Sequence, residues 1–145
     1  MGPVIARLLL AIVMLAGTAA AAGAEDALAE MDSGAIRRTI EGQMEAFRRD
    51  DGAAAFAFAA PAIQKMFGTP GNFMAMVRAG YRPVYRPSEV VFDAPRLIEG
   101  TPLQPVRLVG PDGVPVLAIY SMERQPDGSW RIGGCQLVAL EELAL

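Results

Sequence analysis

Two tyrosines and an arginine with the chemistry to bind a small ligand stand together in one proline-rich stretch, Tyr81-Arg82-Pro83-Val84-Tyr85-Arg86-Pro87. Arginine offers a planar fork that pairs with carboxylates or phosphates, and a tyrosine combines an apolar ring with a hydroxyl group. Tyr81, Tyr85 and Arg86 are therefore candidates for holding a planar or anionic ligand. The alternative is that the tyrosine rings pack in the protein while the arginine is solvated.

Most familiar catalytic sites are excluded by composition. The chain has no histidine, which removes His-based triads, proton shuttles and zinc–histidine sites. Its one cysteine, Cys135, cannot form an internal disulfide or a cysteine-rich metal site. The nucleophile-elbow, dinucleotide-binding and phosphate-loop motifs are missing as well. The sequence therefore predicts no catalytic residue, no metal site and no cofactor.

A pocket enzyme remains the alternative, of the isomerase or hydrolase type. Acid–base chemistry would need a carboxylate inside a pocket, with a pKa tuned by its surroundings. The candidate bases are Asp50, Asp51 and Glu89, and the candidate proton donors are Tyr81, Tyr85 and Tyr120. Asp50 and Asp51 follow a helical pattern, so both are also expected to act as capping residues.

The N-terminus has the three parts of a secretory signal peptide. Arg7 supplies a positive charge, residues 8–16 form an apolar run, and Ala22-Gly23-Ala24 is a small-residue cleavage site. The sequence predicts a signal peptide over 1–24, a short lead over 25–32, a single domain over 33–145 and a periplasmic location. An uncleaved anchor is the alternative, but a spanning helix needs about 20 apolar residues, so no stable anchor is expected after cleavage.

Charge balance excludes nucleic acid as a partner. Lys and Arg number 13 against 16 Asp and Glu, for a formal net charge of −3. Nucleic-acid-binding surfaces normally need a basic excess. In an oxidising compartment Cys135 would be an odd thiol, either buried or paired between chains.

Helix patterns fill the first half of the domain and strand patterns the second, which is typical of an α+β fold. The first helix is expected to begin at Ser33 and to bury a stripe formed by Ile36, Ile40, Met44 and Phe47. The other expected helices cover 52–59, 61–66 and 70–79, with Thr69 as an N-cap and Gly80 as the C′ residue, followed by an extended linker over 81–87. About four antiparallel strands are expected, over 89–93, 103–109, 114–124 and 129–137.

Two turn sequences set the strand register. Gly110-Pro111-Asp112-Gly113 and Gln125-Pro126-Asp127-Gly128 are typical of type I turns that end in a left-handed glycine. Three-residue loops place the even-numbered residues on the face that meets the helices: Val106, Leu108, Val116, Ala118, Tyr120, Met122, Trp130 and Ile132. Tyr120 and Arg124 therefore join the ligand-binding candidates. Stacking of Arg124 on Trp130 is a structural alternative for the arginine.

The odd-numbered face is less polar than a solvated sheet face should be. Leu117, Ile119 and Leu137 are expected to form an apolar patch on it, with Cys135 near by. This patch predicts a homodimer interface or a surface for another envelope protein; coverage by the C-terminal tail and simple tolerance of exposed aliphatics are the alternatives. A bulge at Gly133-Gly134 would move Cys135 and Leu137 to the other face.

Several stretches resemble one known family, the bacterial domain-of-unknown-function family 4864. The resemblance covers about 36–137 and rests on Met44-Glu45-Ala46-Phe47-Arg48-Arg49-Asp50-Asp51, Phe56-Ala57-Phe58-Ala59-Ala60-Pro61-Ala62-Ile63-Gln64, Phe73-Met74-Ala75-Met76-Val77, residues 81–87 and Gly128-Ser129-Trp130-Arg131-Ile132-Gly133-Gly134-Cys135. It implies a cone-shaped fold similar to the nuclear-transport-factor-2-like, cystatin-like superfamily, in which a curved sheet wraps helices and often leaves a pocket. Such a fold does not choose a function. The expectation is a non-catalytic small-ligand-binding or protein-interaction module.

Overall fold

The computed structural model describes the backbone of residues 16–140 and the side chains of residues 32–140. The chain divides into two compact units, Met1–Asp32 and Ser33–Leu145. Apart from Asp32, the predicted signal peptide over 1–24 and the lead over 25–32 lie outside the described side chains and stay predictions. Across the described residues, no helix is long and apolar enough to cross a membrane.

Helices come first in the chain and an antiparallel sheet follows, which confirms the α+β prediction. The helices are α1 (Ala16–Arg48), α2 (Gly52–Ala57), α3 (Pro61–Phe67), α4 (Pro70–Gly80) and α5 (Arg82–Tyr85). The strands are β1 (Glu89–Phe92), β2 (Arg96–Ile98), β3 (Thr101–Val109), β4 (Pro115–Arg124) and β5 (Trp130–Ala139). The sheet has the order β1-β3-β4-β5, and the short β2, which was not predicted, also pairs with β3.

The predicted start of the first helix at Ser33 is wrong. Helix α1 already runs from Ala16 and passes through Ser33 without a break. The residues upstream are rich in alanine, which has the highest helix propensity, so the capping preference of Ser33 is overridden. The apolar stripe of this helix is confirmed, because Ile36, Ile40, Met44 and Phe47 are all buried in the core.

Two predicted helix caps are confirmed. The Asp51 carboxylate accepts a hydrogen bond of 3.1 Å from the Ala54 amide at the start of α2. The Thr69 hydroxyl accepts one of 3.2 Å from the Asn72 amide at the start of α4. Each side chain satisfies a backbone donor that the first turn of a helix leaves free.

The segment after α4 differs from the extended linker expected there. Gly80 belongs to α4 and does not adopt a left-handed conformation, and Tyr81 caps α4 and opens the single turn of α5. Pro83 lies in the first turn of α5, where its missing amide hydrogen costs no hydrogen bond. The turn brings Tyr81 and Val84 back against the core.

Both predicted hairpin turns are confirmed. Gly110 donates to the Val114 carbonyl at 3.1 Å, and Gln125 donates to the Ser129 carbonyl at 2.8 Å. The glycines that close the turns, Gly113 and Gly128, have φ values of 79° and 85°, the left-handed region that glycine adopts without strain. The predicted inner face of the sheet follows from these turns, and its central residues are buried.

The register of β5 changes at a bulge, and this corrects two face assignments. Met122 faces Ile132 as expected, but Ser121 faces Gly134 and Tyr120 faces Cys135, so that Gly133 is the extra residue. A side chain at Gly133 would collide with the Glu123 carboxylate. Beyond the bulge the parity of β5 is reversed.

As a consequence Cys135 and Leu137 belong to the inner face and pack against the core. The placement of Leu137 on an outer dimer patch was therefore wrong, and Gln136 is exposed. Leu117 and Ile119 keep their predicted position on the outer face, where both are partly buried.

Candidate functional site

A pocket of about 390 Å³ opens between the helices and the inner face of the sheet. This volume lies within the range of about 300–1,000 Å³ that is common for small-molecule sites. The lining residues come from α1, α3, α4 and α5, from the link between α2 and α3, and from β4 and β5: Gln43, Phe47, Ala59, Ile63, Met66, Phe67, Phe73, Met76, Val77, Tyr81, Val84, Tyr120, Ile132, Gly134 and Cys135.

The lining is largely apolar, and among the described residues it includes no charged side chain. Its polar side chains are Gln43, Tyr81, Tyr120 and Cys135. Two of these are already engaged, since Gln43 Nε2 donates to the Ala55 carbonyl at 3.1 Å and the Tyr81 hydroxyl donates to the Cys135 carbonyl at 3.0 Å. Further hydrogen-bonding capacity remains at the Gln43 side-chain carbonyl, the Cys135 thiol and the Tyr120 hydroxyl.

Tyr120 is the most unusual residue of the pocket. Only 1% of its surface is exposed, and among the described residues its hydroxyl oxygen has no neighbour with good hydrogen-bond geometry, only the thiol of Cys135, a weak partner. A buried polar group without a partner costs about 1–3 kcal/mol and calls for an explanation. Burial, with a smaller contribution from the neighbouring Cys135, raises the pKa of Tyr120 well above 10, so the hydroxyl keeps its proton.

Cys135 reaches the pocket because of the bulge in β5. Burial raises the pKa of the Cys135 thiol to about 12, partly offset by the Tyr120 hydroxyl, which lowers it. Since the thiolate is the nucleophile, a thiol with this pKa is unreactive near neutral pH. Cys135 therefore acts in the pocket as a small, soft, neutral side chain.

The pocket has a rigid aromatic wall and an adaptable rim. The Phe73 ring lies 6.2 Å from the Phe47 ring and 5.8 Å from the Phe67 ring, measured between centroids. At the mouth, Met66 on α3 is 72% exposed, and Met76 on α4 also lines the pocket. Methionine side chains are flexible and polarizable, so this rim can adjust to apolar ligands of different shape.

Tyr85 and Arg86, predicted to bind a ligand, do not line the pocket but join a surface cluster around Asp50. The Asp50 carboxylate accepts hydrogen bonds from the Tyr85 hydroxyl, from Arg78 at 3.2 Å and from Arg86 at 3.2 Å. The Arg86 guanidinium also lies 3.9 Å from the centre of the Tyr85 ring and donates to the Phe47 carbonyl at 2.6 Å. The cluster ties α5 to the end of α1.

This cluster argues against Asp50 as a general base. The hydrogen bond from Tyr85, followed by the one from Arg78, lowers the pKa of Asp50 below its usual 3.8. A base of such low pKa accepts a proton poorly near neutral pH. The other candidate bases, Asp51 and Glu89, are absent from the pocket lining as well.

The remaining predicted ligand-binding residues divide between the pocket and the surface. Tyr81 and Tyr120 line the pocket, whereas Arg124 is exposed, with its guanidinium 5.8 Å from the centre of the Trp130 ring. The contact with Trp130 that was expected as the structural alternative for Arg124 is present. Sequence reasoning missed Gln43, a buried polar residue on a helix that otherwise buries apolar ones.

A second groove lies between α1 and β1 and is lined largely by charged side chains. Its charges are paired along α1, with Arg37 bound to Glu41 at 2.7 Å and Arg48 to Glu45 at 3.4 Å. Arg37 also stacks on the Phe92 ring at 4.6 Å. Within residues 32–140, no group of three or more acidic or cysteine side chains is placed to hold a metal ion.

Comparison with known proteins identifies the family. The model of a family described as Domain of unknown function (DUF4864) matches residues 29–144. The chain therefore belongs to this family, as the resemblance of its motifs indicated. No curated protein and no solved structure gives a significant match to the chain.

Proposed function

We propose that this member of the DUF4864 family is a non-catalytic binding domain that takes one small, uncharged and largely apolar molecule into its pocket. The observation that carries the proposal is a pocket of about 390 Å³ whose described lining is largely apolar and includes no charged side chain. An apolar cavity with a few placed polar groups is the usual form of a small-molecule site.

The absence of charge from the lining restricts the ligand. Moving an ionised group from water into an apolar site without a partner costs more free energy than the apolar contacts in a pocket of this size can supply. A carboxylate or an ammonium group would meet only Gln43, Tyr81, Tyr120 and Cys135 as polar side chains. A neutral molecule meets no such penalty.

The protonation states support binding over acid–base catalysis. The pKa values of Tyr120 and Cys135 are both raised, so neither side chain is ionised near neutral pH. A general base works best with a pKa near the working pH. The pocket enzyme with Asp50, Asp51 or Glu89 as base would need a carboxylate that the lining does not contain.

We further propose that residues 1–24 direct the chain to the periplasm, where the domain works as a homodimer. The support for the signal peptide is its sequence pattern. The support for the dimer is the pair of apolar residues Leu117 and Ile119 on the outer sheet face. A protein-interaction module that uses this outer face is the second candidate function.

Native mass spectrometry of the protein purified from its own envelope tests the binding proposal. We expect an adduct that disappears on denaturation. Ile63→Trp fills the pocket from α3 and is expected to abolish the adduct, whereas Val114→Trp, at an exposed position outside the pocket, is the matched control. A wild-type protein without adduct that also binds no added neutral aromatic compound would contradict the proposal.

A further inference from the structure

We infer that the ligand of this pocket carries an uncharged hydrogen-bond donor, a hydroxyl or an N–H group, which donates to the side-chain oxygen of Gln43 at the inner end of the pocket. This inference rests on the proposed function and adds to it the chemical class of the ligand and the residue that selects it.

Gln43 is a polar side chain on the buried side of α1. Its neighbours on that side, Ile40, Met44 and Phe47, belong to the apolar core, and Gln43 itself is only 4% exposed. It also lines the pocket. Burying an amide costs free energy unless its hydrogen bonds are made, so both ends of this side chain need partners.

One end of the Gln43 amide already has a partner, and this fixes the orientation of the group. Nε2 donates to the Ala55 carbonyl at 3.1 Å. A carbonyl oxygen can only accept, so the NH₂ end must face Ala55 and the oxygen Oε1 must lie on the other side. Within residues 32–140 no group donates to Oε1, which leaves it as a held acceptor.

The Gln43 oxygen can be reached from the pocket, in contrast to the Tyr120 hydroxyl. In the part of the chain that the structure describes, the Tyr120 oxygen is the side-chain atom that is both fully buried and without a well-placed partner. Gln43 Oε1 is not closed off in this way and keeps accessible surface. Because Gln43 lines the pocket, this surface opens into it, and the group that Oε1 lacks is a donor.

The charge of the lining restricts that donor. An ammonium group would also donate to Gln43, but no aspartate or glutamate among the described residues lines the pocket to balance its charge. Asp50, just after the end of α1, is bound to Arg78 and Arg86 outside the lining. A hydroxyl or an uncharged N–H group satisfies Gln43 without the cost of burying a charge.

The burial of the lining residues gives the orientation of the ligand. Gln43 is 4% exposed and Met66 is 72% exposed, although both line the same pocket. The acceptor therefore lies at the inner end and the methionine at the mouth. The donor group must enter first, and the apolar remainder of the ligand contacts Phe67 and Met76 nearer the mouth.

A matched pair of probes tests this arrangement. 2-Naphthylmethanol and 2-ethylnaphthalene have the same ring system and differ in a hydroxyl group that replaces a methyl group. A typical net hydrogen bond changes an equilibrium constant about fivefold, so Gln43→Met is expected to weaken binding of the alcohol by about that factor and binding of the hydrocarbon by less than about twofold. 2-Acetylnaphthalene, which has an acceptor oxygen but no donor, is expected to behave like the hydrocarbon. Calorimetric or equilibrium-dialysis titrations give the dissociation constants.

The Gln43→Met variant keeps the length of the side chain and removes only its polar end. The Ala55 carbonyl loses the bond from Gln43 but still accepts from the Phe58 amide at 3.3 Å. Tyr81→Phe is the matched control variant, because it removes a different oxygen from the same lining, one that is engaged with the Cys135 carbonyl. It is expected to affect the alcohol and the hydrocarbon equally.

The wild type gives a second readout that needs no variant to fold. A hydrogen bond to a carbonyl oxygen moves the ¹³C resonance of its carbon downfield. The resonance of Gln43 Cδ in ¹³C-labelled protein is therefore expected to move downfield with 2-naphthylmethanol and not with 2-ethylnaphthalene.

The outcomes separate the two levels of the proposal. If none of the three probes binds the wild type, the proposed function fails and the inference falls with it. If the probes bind, but Gln43→Met affects them equally or the Gln43 Cδ resonance responds alike to alcohol and hydrocarbon, the pocket binds apolar molecules and the donor inference is overturned. A selective loss of the alcohol in Tyr81→Phe and not in Gln43→Met would place the acceptor at Tyr81 and would overturn the inference as well.

Discussion

Removal of the Tyr120 hydroxyl is expected to stabilise the ligand-free protein, an unusual result for a core substitution. The side chain is 1% exposed, and among the described residues its hydroxyl has no neighbour with good hydrogen-bond geometry, only the weakly interacting thiol of Cys135. An unsatisfied buried polar group costs about 1–3 kcal/mol. Tyr120→Phe keeps the ring and removes the cost, so we expect the free energy of unfolding to rise by about 1–2 kcal/mol.

The matching change at Tyr81 is expected to have the opposite sign. The Tyr81 hydroxyl donates to the Cys135 carbonyl at 3.0 Å, so Tyr81→Phe loses a hydrogen bond worth about 1 kcal/mol. The two variants delete the same atom from the same pocket, and only the presence of a partner differs. This pair separates the unpartnered hydroxyl from a general effect of tyrosine-to-phenylalanine replacement.

Urea unfolding followed by circular dichroism gives both free energies, after bound small molecules have been removed from the protein. For a domain of this size a change of 1 kcal/mol corresponds to about 3–5 °C in Tm, so thermal unfolding gives an independent check. A Tyr120→Phe variant that is less stable than the wild type by 1 kcal/mol or more would refute the reasoning, since the hydroxyl would then have a partner.

Three further predictions concern the thiol, the surface cluster and the outer face. Because the pKa of Cys135 is raised from 9.0 to about 12, its thiolate fraction at pH 8 is about a thousandth of that of an ordinary thiol. Alkylation by iodoacetamide, followed by mass spectrometry, is therefore expected to be slower in the folded protein than in urea by at least about a hundredfold. Equal rates would contradict the buried placement of Cys135. Because the folded-state pKa of Asp50 lies below 3.8, the ionised carboxylate stabilises the fold above that pH and loses this effect as the pH falls through the folded pKa. Asp50→Asn is therefore expected to be less stable than the wild type at pH 7, with a difference in stability that shrinks below pH 3.8. A stability difference independent of pH would count against the role of the Asp50 cluster. Leu117→Asp and Ile119→Asp are each expected to give monomers in sedimentation analysis, and a dimer that survives both changes would rule out the outer face as its interface.

Local chemistry made several parts of the fold predictable. The turns before Val114 and Ser129 follow from Pro-Asp-Gly sequences. The caps at Asp51 and Thr69 each consist of a side-chain oxygen that accepts a hydrogen bond from the backbone amide three residues later. Each of these features is decided within a few residues, so the sequence alone determines it.

The errors arose where distant residues decide the structure. The bulge at Gly133 depends on how β5 pairs with β4, and a shift of one residue moves every later side chain to the other face. That single residue brought Cys135 and Leu137 inside. The turn of α5 likewise depends on Asp50, far back in the chain, which binds Tyr85 and Arg86.

The candidate site was predictable in part for the same reason. Tyr120 could be placed on the inner face because the hairpin turns fix its register. Tyr81 and Tyr85 could not be separated by sequence, although the first lines the pocket and the second lies in the Asp50 cluster. Their difference is set by the direction in which α5 turns, which no local motif encodes.

An NMR titration of the ¹⁵N-labelled wild type with 2-acetylnaphthalene tests the central claim most directly. We expect saturable amide shifts around the pocket, strongest near Phe67, Met76 and Gly134, with no change near Leu117 on the outer face. Shifts confined to the outer face, or no saturable shift at the pocket, would contradict the claim that the pocket binds a neutral small molecule.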